Sequence, residues 1–219
     1  MNELYINTAI TSLLFLVIFG VAELAYVKFS IKVEITRKFV HIGSGLLCLS
    51  FPFYIVNIWL VLLLSINFLV LLIISKKFNF LKSINNVDRK TYGSYLFPVT
   101  IFVMYSISTA LDNLDFYFLP LLIFAISDPM GALVGKKYPI KKYTVFNQQK
   151  SLGGALAFFT SALLICFSYF YCFSTIDIIT VILVLTISSL ATITEGLSFK
   201  GTDNITVPLI VALIVYLFL

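Results

Sequence analysis

The residues best suited to chemistry lie in two polar stretches of an otherwise apolar chain. The first, Ser127 to Gly154, contains an acid, two spaced glycines, several lysines and a Lys-Ser pair. The second, Glu195 to Asn204, carries two carboxylates around a glycine-containing turn. An acid at the mouth of a hydrophobic helix is costly without a partner, and the downstream lysines indicate a phosphate or a metal-phosphate complex as that partner.

Asp128 and Pro129 predict a break or kink, because proline lacks a backbone donor and disfavours helix at the preceding residue. Gly131 and Gly135 then form a GxxxG pair, which is typical of a packing seam between membrane helices. Because an acid lies one turn before it, the same pair has a second interpretation. The acid could hold a divalent cation while the glycines let a nucleotide lie against the backbone.

Lys150 and Ser151 precede an apolar run that begins at Leu152. Ser151 is predicted to cap this helix, whose unpaired N–H groups and dipole make an anion site to which Lys150 adds charge. The stretch is not a Walker A loop, because no GxxxxGK[ST] run is present. The other lysines of this stretch are interpreted as topological anchors or contacts to anionic lipids; they are Lys136, Lys137, Lys141 and Lys142.

Glu195 and Asp203 allow two interpretations. In one, Asp203 caps the last helix and Glu195 is an exposed helix-end residue. In the other, both join Asp128 as ligands for Mg²⁺, which prefers a few carboxylates together with phosphates and water. The second interpretation requires three helix ends to converge.

A further cluster, Arg37, Lys38 and His41, begins another apolar run. Arg37 and His41 share a helix face at a spacing of four. The bases are interpreted as phosphate contacts, and His41 as a hydrogen-bond donor or proton carrier. Alternatively, the bases are topological anchors and His41 makes a contact between helices. A weaker cluster precedes Gly93, where Arg89 and Lys90 could reach a phosphate or could simply belong to a turn.

Membrane helices must position these clusters, because the chain is 60% hydrophobic and only 11% charged, with a mean hydropathy of +1.05. We predict an all-α, polytopic bundle forming a single domain over residues 1–219, with the motifs within 34–208. Its apolar runs approach the roughly 20 residues needed to cross a bilayer. The eight predicted spans are about 8–26, 39–54, the Asn57 turn to 74, 95–107, 116–134, 152–173, the Asp177 turn to 194, and 204–219.

The basic residues predict the orientation of these spans. All 15 Lys and Arg residues fall in connectors on one side, which the positive-inside rule assigns to the cytoplasm. Both termini then lie outside, and every polar cluster lies at the cytoplasmic face of the cell membrane. The net charge of +5 is thereby explained without nucleic acid, whose binding usually requires a basic patch on a soluble face.

Three segments together carry a family resemblance: RKFVHIGSG, then SDPMGALVGKKYP followed by QQKSLGGALA, then TEGLSFKGTDNITVPL. In this order they resemble the CTP-dependent lipid kinases that include phytol and dolichol kinases, relatives of phosphatidate cytidylyltransferases. The resemblance, nearer to the compact phytol kinases, implies transfer of the terminal phosphoryl group of CTP, with Mg²⁺, to a lipid alcohol such as phytol or a polyprenol.

The resemblance also implies roles for the matching residues. Those expected to be catalytic are Asp128, Lys150, Asp203 and His41. Those expected to bind the nucleotide are Arg37, Lys38, Gly131, Gly135, Ser151, Gly154 and Asn204. Those expected to bind the metal are Asp128, Glu195 and Asp203. One departure is Gly196, where serine is common in the family.

Other functions remain open at this point. A phosphatidate cytidylyltransferase would use the same nucleotide and release pyrophosphate, and a CTP-dependent diacylglycerol kinase would differ in its acceptor. A non-catalytic carrier of anionic lipids or metabolites would use the same charges for binding. The expected partners are a nucleotide, a lipid alcohol and membrane lipids, with a homodimer left open.

Overall fold

The chain is described by a computed structural model that covers residues 2–87, 91–146 and 148–218. Within these residues the chain forms eight long helices, here α1 to α8, and two short helical turns, Phe51–Tyr54 and Lys82–Asn85. The long helices are α1 Asn2–Phe29, α2 Val33–Cys48, α3 Ile58–Lys77, α4 Gly93–Leu111, α5 Asp115–Lys137, α6 Leu152–Phe173, α7 Ile178–Leu197 and α8 Asp203–Phe218.

Six of these helices, α1 and α3 to α7, are long and apolar enough to cross a membrane. The remaining two, α2 and α8, have 16 residues each and are shorter than such a span. The helical class is therefore confirmed, and the six apolar helices support a membrane protein. The count of eight spans, the side of the termini and the side of each connector stay predictions.

Helix α5 lies at the centre of the bundle. In its most apolar stretch 56% of the residues are buried, against 22% to 33% in the other candidate spans. It contacts α2, α4, α6 and α8. Its segment from Phe116 to Ser127 is apolar on all sides, as expected of a helix whose every face is covered. Asp128, the next residue, is therefore held in the middle of the protein.

The second helix differs from the predicted span 39–54. It begins at Val33 and ends at Cys48, and a separate helical turn, Phe51–Tyr54, follows. The early start brings Lys38 into the helix, where it contacts an acid on α5. The early end fits Pro52, which lies in the first turn of the new helix, where its missing N–H costs nothing.

The basic loop predicted before α6 is partly a β-hairpin. Strand β1 is Lys142–Val145 and strand β2 is Gln148–Ser151, and the two pair in antiparallel register. Tyr143 lies opposite Lys150 in this register. The hairpin is a small addition to the all-α class, and it places Lys150 next to the end of α7.

Candidate active site

One cavity of about 440 Å³ brings the predicted motifs together. Its volume lies within the ~300–1,000 Å³ usual for small-molecule sites. Every predicted site residue lines it: Arg37, Lys38, His41, Asp128, Gly131, Gly135, Lys150, Ser151, Gly154, Glu195, Asp203 and Asn204. The structure thus brings these motifs to one cavity, while the role of each residue stays a prediction.

Lys38 and Asp128 form a buried ion pair in this cavity. The Lys38 Nζ lies 2.6 Å from Asp128 Oδ2, and each residue is only 6% exposed. Charges removed from water are tolerated when they are paired in this way. A topological anchor would remain near the membrane surface, so that alternative does not account for Lys38.

Arg37 is held by Glu34 but keeps one unused donor. Its Nη2 lies 3.1 Å from Glu34 Oε1, and the exposed Lys136 reaches the other carboxylate oxygen at 3.5 Å. The Arg37 Nε is buried and has no hydrogen-bond partner among the described residues. An arginine presents five N–H donors, so this one remains available to an anion that enters the cavity.

His41 connects α2 to an irregular turn of α5. Residues Ile123–Ser127 form a π-helical segment, in which the N–H of residue 129 would bond to the carbonyl of residue 124. Pro129 has no N–H, and His41 Nε2–H donates to the Phe124 carbonyl at 2.9 Å instead. The predicted irregularity at Asp128-Pro129 is thus present as a π turn. His41 satisfies the carbonyl left unpaired there, and its Nε2 lies 3.7 Å from Asp128 Oδ2.

The GxxxG glycines form a close contact between α5 and α6. A Cβ on Gly135 would lie 2.9 Å from Gly154 Cα, and one on Gly131 would lie 3.2 Å from the Gly154 carbonyl oxygen. Ser151 caps α6 as predicted, since its Oγ accepts from the Gly154 N–H at 3.2 Å. The packing interpretation is therefore present in the structure. Contact of the same glycines with a nucleotide stays a prediction.

The hairpin presents Lys150 to Glu195 at the end of α7. The Lys150 Nζ lies 2.6 Å from Glu195 Oε1 and also contacts the Glu195 backbone carbonyl. Tyr143, opposite Lys150 in the hairpin, brings its hydroxyl to Gly196, where a Cβ would lie 3.1 Å away. Burial and the charge of Glu195 raise the pKa of the Tyr143 phenol. Glu195 is thus a paired residue and not an exposed helix end.

Asn204 ties the Glu195 to Asn204 stretch to the start of α4. Its side-chain amide donates to the Gly93 carbonyl at 2.7 Å, and its backbone carbonyl accepts from Thr100 Oγ1 at 2.8 Å. Gly201 adopts a φ of +87°, and a Cβ there would lie 2.5 Å from the Gly93 nitrogen. The turn therefore depends on a glycine, and Asn204 has a structural role in addition to the predicted one.

Asp203 differs from the other two acids. Its carboxylate accepts from the Asn204 N–H at 3.1 Å and interacts electrostatically with Asp128, Lys150, Lys38 and Glu195. Within the described part of the chain, no lysine or arginine forms an ion pair with it. Asp203 is the cavity acid that keeps its carboxylate available.

The three acids are not assembled as a metal site. Among residues 2–87, 91–146 and 148–218, no three His, Cys, Asp or Glu side chains are close enough to hold a metal ion. Asp128 and Glu195 are instead occupied by lysines. The donor set still fits Mg²⁺ bound to a nucleotide, because that ion takes one or two carboxylates and completes its shell with phosphates and water.

The cavity also contains polar residues that were not predicted as part of the site. They are Glu34, Ser44, Ser65, Thr91, Ser94, Lys136, Lys142, Gln148 and Gln149. The spacing of three from Arg37 could have identified Glu34. The hairpin residues depend on strand pairing, which a lysine-rich loop does not reveal. Arg89 and Lys90, which could contact a phosphate or belong to a turn, lie outside the described residues.

Comparison with known proteins supports the family resemblance. The chain is 28% identical over 186 residues to the phytol kinase of Synechocystis sp.. The aligned residues make up 84% of this chain and 78% of that protein. No protein-family model matches the chain, and no solved structure matches it significantly. This similarity over most of the chain supports a phytol kinase-like lipid kinase family.

Proposed function

We propose that the protein is a membrane-embedded kinase that transfers the terminal phosphoryl group of CTP to the hydroxyl of an isoprenoid or similar lipid alcohol. The observation that carries this proposal is one cavity with two chemically different ends. A charged end suits a nucleotide phosphate, and an apolar arm beside it suits a hydrocarbon chain. The similarity to a phytol kinase supports the same class of reaction.

In this proposal the lysines exchange partners when the nucleotide binds. Lys38 and Lys150 first neutralise Asp128 and Glu195. Phosphate oxygens then take over the two ammonium groups, and Arg37 donates its unused Nε–H. Phosphoryl transfer depends mainly on alignment and charge neutralisation, which these three bases can supply.

Asp128 and Glu195 become available as the lysines leave, and they would hold Mg²⁺ together with the nucleotide phosphates and water. Bound there, the ion would neutralise charge on the terminal phosphate. Asp203 lies within electrostatic reach of both acids and completes the acidic side of the site.

In this proposal Asp203 is the base that accepts the proton of the alcohol. The alcohol oxygen forms a bond to the terminal phosphorus, the bond to the bridging oxygen of the nucleotide breaks, and CDP leaves. Asp203 accepts the alcohol proton because its carboxylate has no ion-pair partner within the described residues. His41 is the weaker candidate, because its Nε2–H is used by the Phe124 carbonyl.

The charged end faces the cytoplasm in this proposal, where soluble nucleotides are available. The alcohol enters from the membrane, which already dissolves its chain.

An assay of purified protein in nanodiscs tests the proposal. Wild type is supplied with CTP, GTP or ATP and with phytol, farnesol, geranylgeraniol, dolichol or diacylglycerol, and we expect transfer from CTP to a prenyl alcohol. Asp128→Asn should abolish transfer while the protein stays folded by size-exclusion profile and thermal unfolding. Asp177→Asn is the control, since this acid is exposed at the other end of α7. Full activity of Asp128→Asn contradicts the proposal.

A further inference from the structure

The apolar arm of the cavity is a defined compartment. It extends from His41 along α2 toward Cys48 and is lined by side chains of α1, α3 and α4 and of the turn after α2. His41 and Cys48, which mark its two ends on α2, are seven residues apart. At 1.5 Å per residue this is about 10 Å, or about a third of the ~30 Å hydrocarbon core of a bilayer.

Three aromatic rings, those of Phe15, Phe51 and Phe68, line this arm together with Cys48. The Phe15 ring centroid lies 4.4 Å from that of Phe68 and 6.3 Å from that of Phe51. Phe15 and Phe51 are 4% and 2% exposed, and all three rings line the cavity. The rings come from α1, α3 and the turn after α2, so their contact depends on the packing of three separate segments. An occupant of the arm would contact these rings.

Ser44 marks the junction between the charged end and the arm. Its hydroxyl is buried, lines the cavity and has no hydrogen-bond partner among the described residues. Ser106 and Thr109 on α4 donate to the carbonyl four residues earlier, which is the usual solution for a hydroxyl in a membrane helix. An unpaired buried hydroxyl is costly, so a ligand oxygen at this position would satisfy it.

The α2 side chains that line the cavity change from charged to apolar along the helix. Arg37, His41, Ser44 and Cys48 follow at spacings of four, three and four, which places them on one helix face. An elongated ligand with one polar end would meet this face in the matching order: phosphate contacts first, then a hydroxyl, then hydrocarbon.

We infer that this arm binds the hydrocarbon chain of a single-chain lipid alcohol, whose oxygen accepts a hydrogen bond from Ser44, and that Phe15, Phe51 and Phe68 set the longest chain accepted. The inference rests on the proposed function for the identity of the reaction. The length of the arm favours a short prenyl chain over the long chain of dolichol. The total volume of about 440 Å³, shared with the charged end, favours one chain over the two of diacylglycerol.

Photo-crosslinking tests the binding site without requiring turnover. A prenyl alcohol with a diazirine at the tail end is added to purified protein in nanodiscs, with and without excess phytol. We expect phytol-competed crosslinks on peptides that contain Phe15, Phe51 or Phe68. Capture should fall several-fold in Ser44→Ala and stay unchanged in Leu16→Ala, the matched α1 control whose side chain faces outward with 51% exposure. Crosslinks confined to outward-facing helix surfaces, or capture unaffected by Ser44→Ala, overturn the inference.

Kinetic measurements provide the second test. Ser44→Ala should raise the KM for the alcohol several-fold with the KM for CTP unchanged, and should raise the midpoint of thermal unfolding because an unpaired hydroxyl is removed. Phe68→Ala should shift the preferred acceptor toward longer chains, whereas Leu16→Ala should not. An unchanged chain-length profile in Phe68→Ala contradicts the inference.

The two tests separate this inference from the proposed function. If the protein crosslinks in the arm but transfers no phosphate, the proposed kinase activity is contradicted and the lipid-binding site is supported. If the protein is active but crosslinks elsewhere, the lipid-binding site is contradicted and the kinase activity is supported.

Discussion

Two lysines hold two carboxylates in the cavity, Lys38 with Asp128 and Lys150 with Glu195, each at 2.6 Å. Asp203 has no such partner within the described residues, and Arg37 keeps one buried donor unpaired. At the scale of residues, the site is therefore nearly neutralised by internal pairs, with one acid and one donor left for a ligand. This arrangement suits a site that must stay stable without a nucleotide and must bind a highly charged one.

Removal of the Lys38 side-chain charge should destabilise the protein, because Asp128 would lose its counter-ion. Lys38→Met leaves Asp128 buried without a counter-ion, and breaking a buried pair in this way costs about 3–5 kcal/mol. Adding Asp128→Asn should recover part of this loss without restoring activity. Lys136→Met is the control, because its side chain is 67% exposed and an exposed ion pair is worth about 1 kcal/mol or less. Denaturant unfolding in detergent measures all four proteins, and equal stability of Lys38→Met and wild type contradicts the pairing.

At the scale of elements, two features of α5 fix its neighbours: an irregular π-helical turn and a pair of glycines packed against α6. The π-helical segment Ile123–Ser127 and Pro129 leave the Phe124 carbonyl to His41, which fixes α2 against α5. One turn later, Gly131 and Gly135 bring α6 against the same helix. Asp128 lies between these two contacts, so its position is set by both neighbours.

His41 and Pro129 should be energetically coupled. His41→Ala removes the donor to the Phe124 carbonyl, and an unpaired buried group costs about 1–3 kcal/mol. Pro129→Ala supplies an N–H that can bond to this carbonyl, so His41→Ala should cost less in the Pro129→Ala background. A double-mutant cycle on unfolding free energies measures the difference and cancels the contacts of the His41 ring with Phe97 and Phe124. The same loss in both backgrounds contradicts this assignment.

The glycine seam should not tolerate a methyl group. Gly135→Ala places a Cβ 2.9 Å from Gly154 Cα, and such overpacking costs about 1–3 kcal/mol. Gly20→Ala is the matched control, because nothing lies within 4 Å of its added Cβ and alanine favours helix by about 0.5–1 kcal/mol. Thermal unfolding should therefore move down for Gly135→Ala and stay or rise for Gly20→Ala. A Gly135→Ala protein as stable as Gly20→Ala is evidence against close α5–α6 packing.

At the scale of the whole molecule, the helix bundle brings three motifs that are distant in sequence to one cavity. This convergence could be predicted from the sequence, because residue types and hydropathy assign Lys38, Asp128 and Glu195 to one end of their helices. The ion-pair partner of each lysine could not be predicted from the sequence, because a pair such as Lys38–Asp128 depends on the packing of two helices whose residues are 90 positions apart. The aromatic part of the arm could not be predicted either, because the chain has 22 phenylalanines and only packing brings Phe15 and Phe68 together.

The predicted orientation can be tested on whole cells. In a variant without the native cysteines, Thr175→Cys lies in the exposed connector between α6 and α7, and Lys137→Cys lies at the exposed end of α5. A membrane-impermeant maleimide should label Thr175→Cys in intact cells and label Lys137→Cys only after permeabilisation. The reverse pattern would place the charged end of the cavity outside and remove its access to cytoplasmic nucleotide.

The fate of the nucleotide phosphates tests the central claim most directly. Purified protein is supplied with a prenyl alcohol and with CTP labelled at either the γ or the α position, and the lipid product is separated. We predict γ label in the lipid, no α label, and loss of the γ-labelled product in Asp128→Asn. Label from the α position in the lipid would show a cytidylyltransferase, and no label in any lipid alcohol or diacylglycerol would contradict the assignment as a lipid kinase.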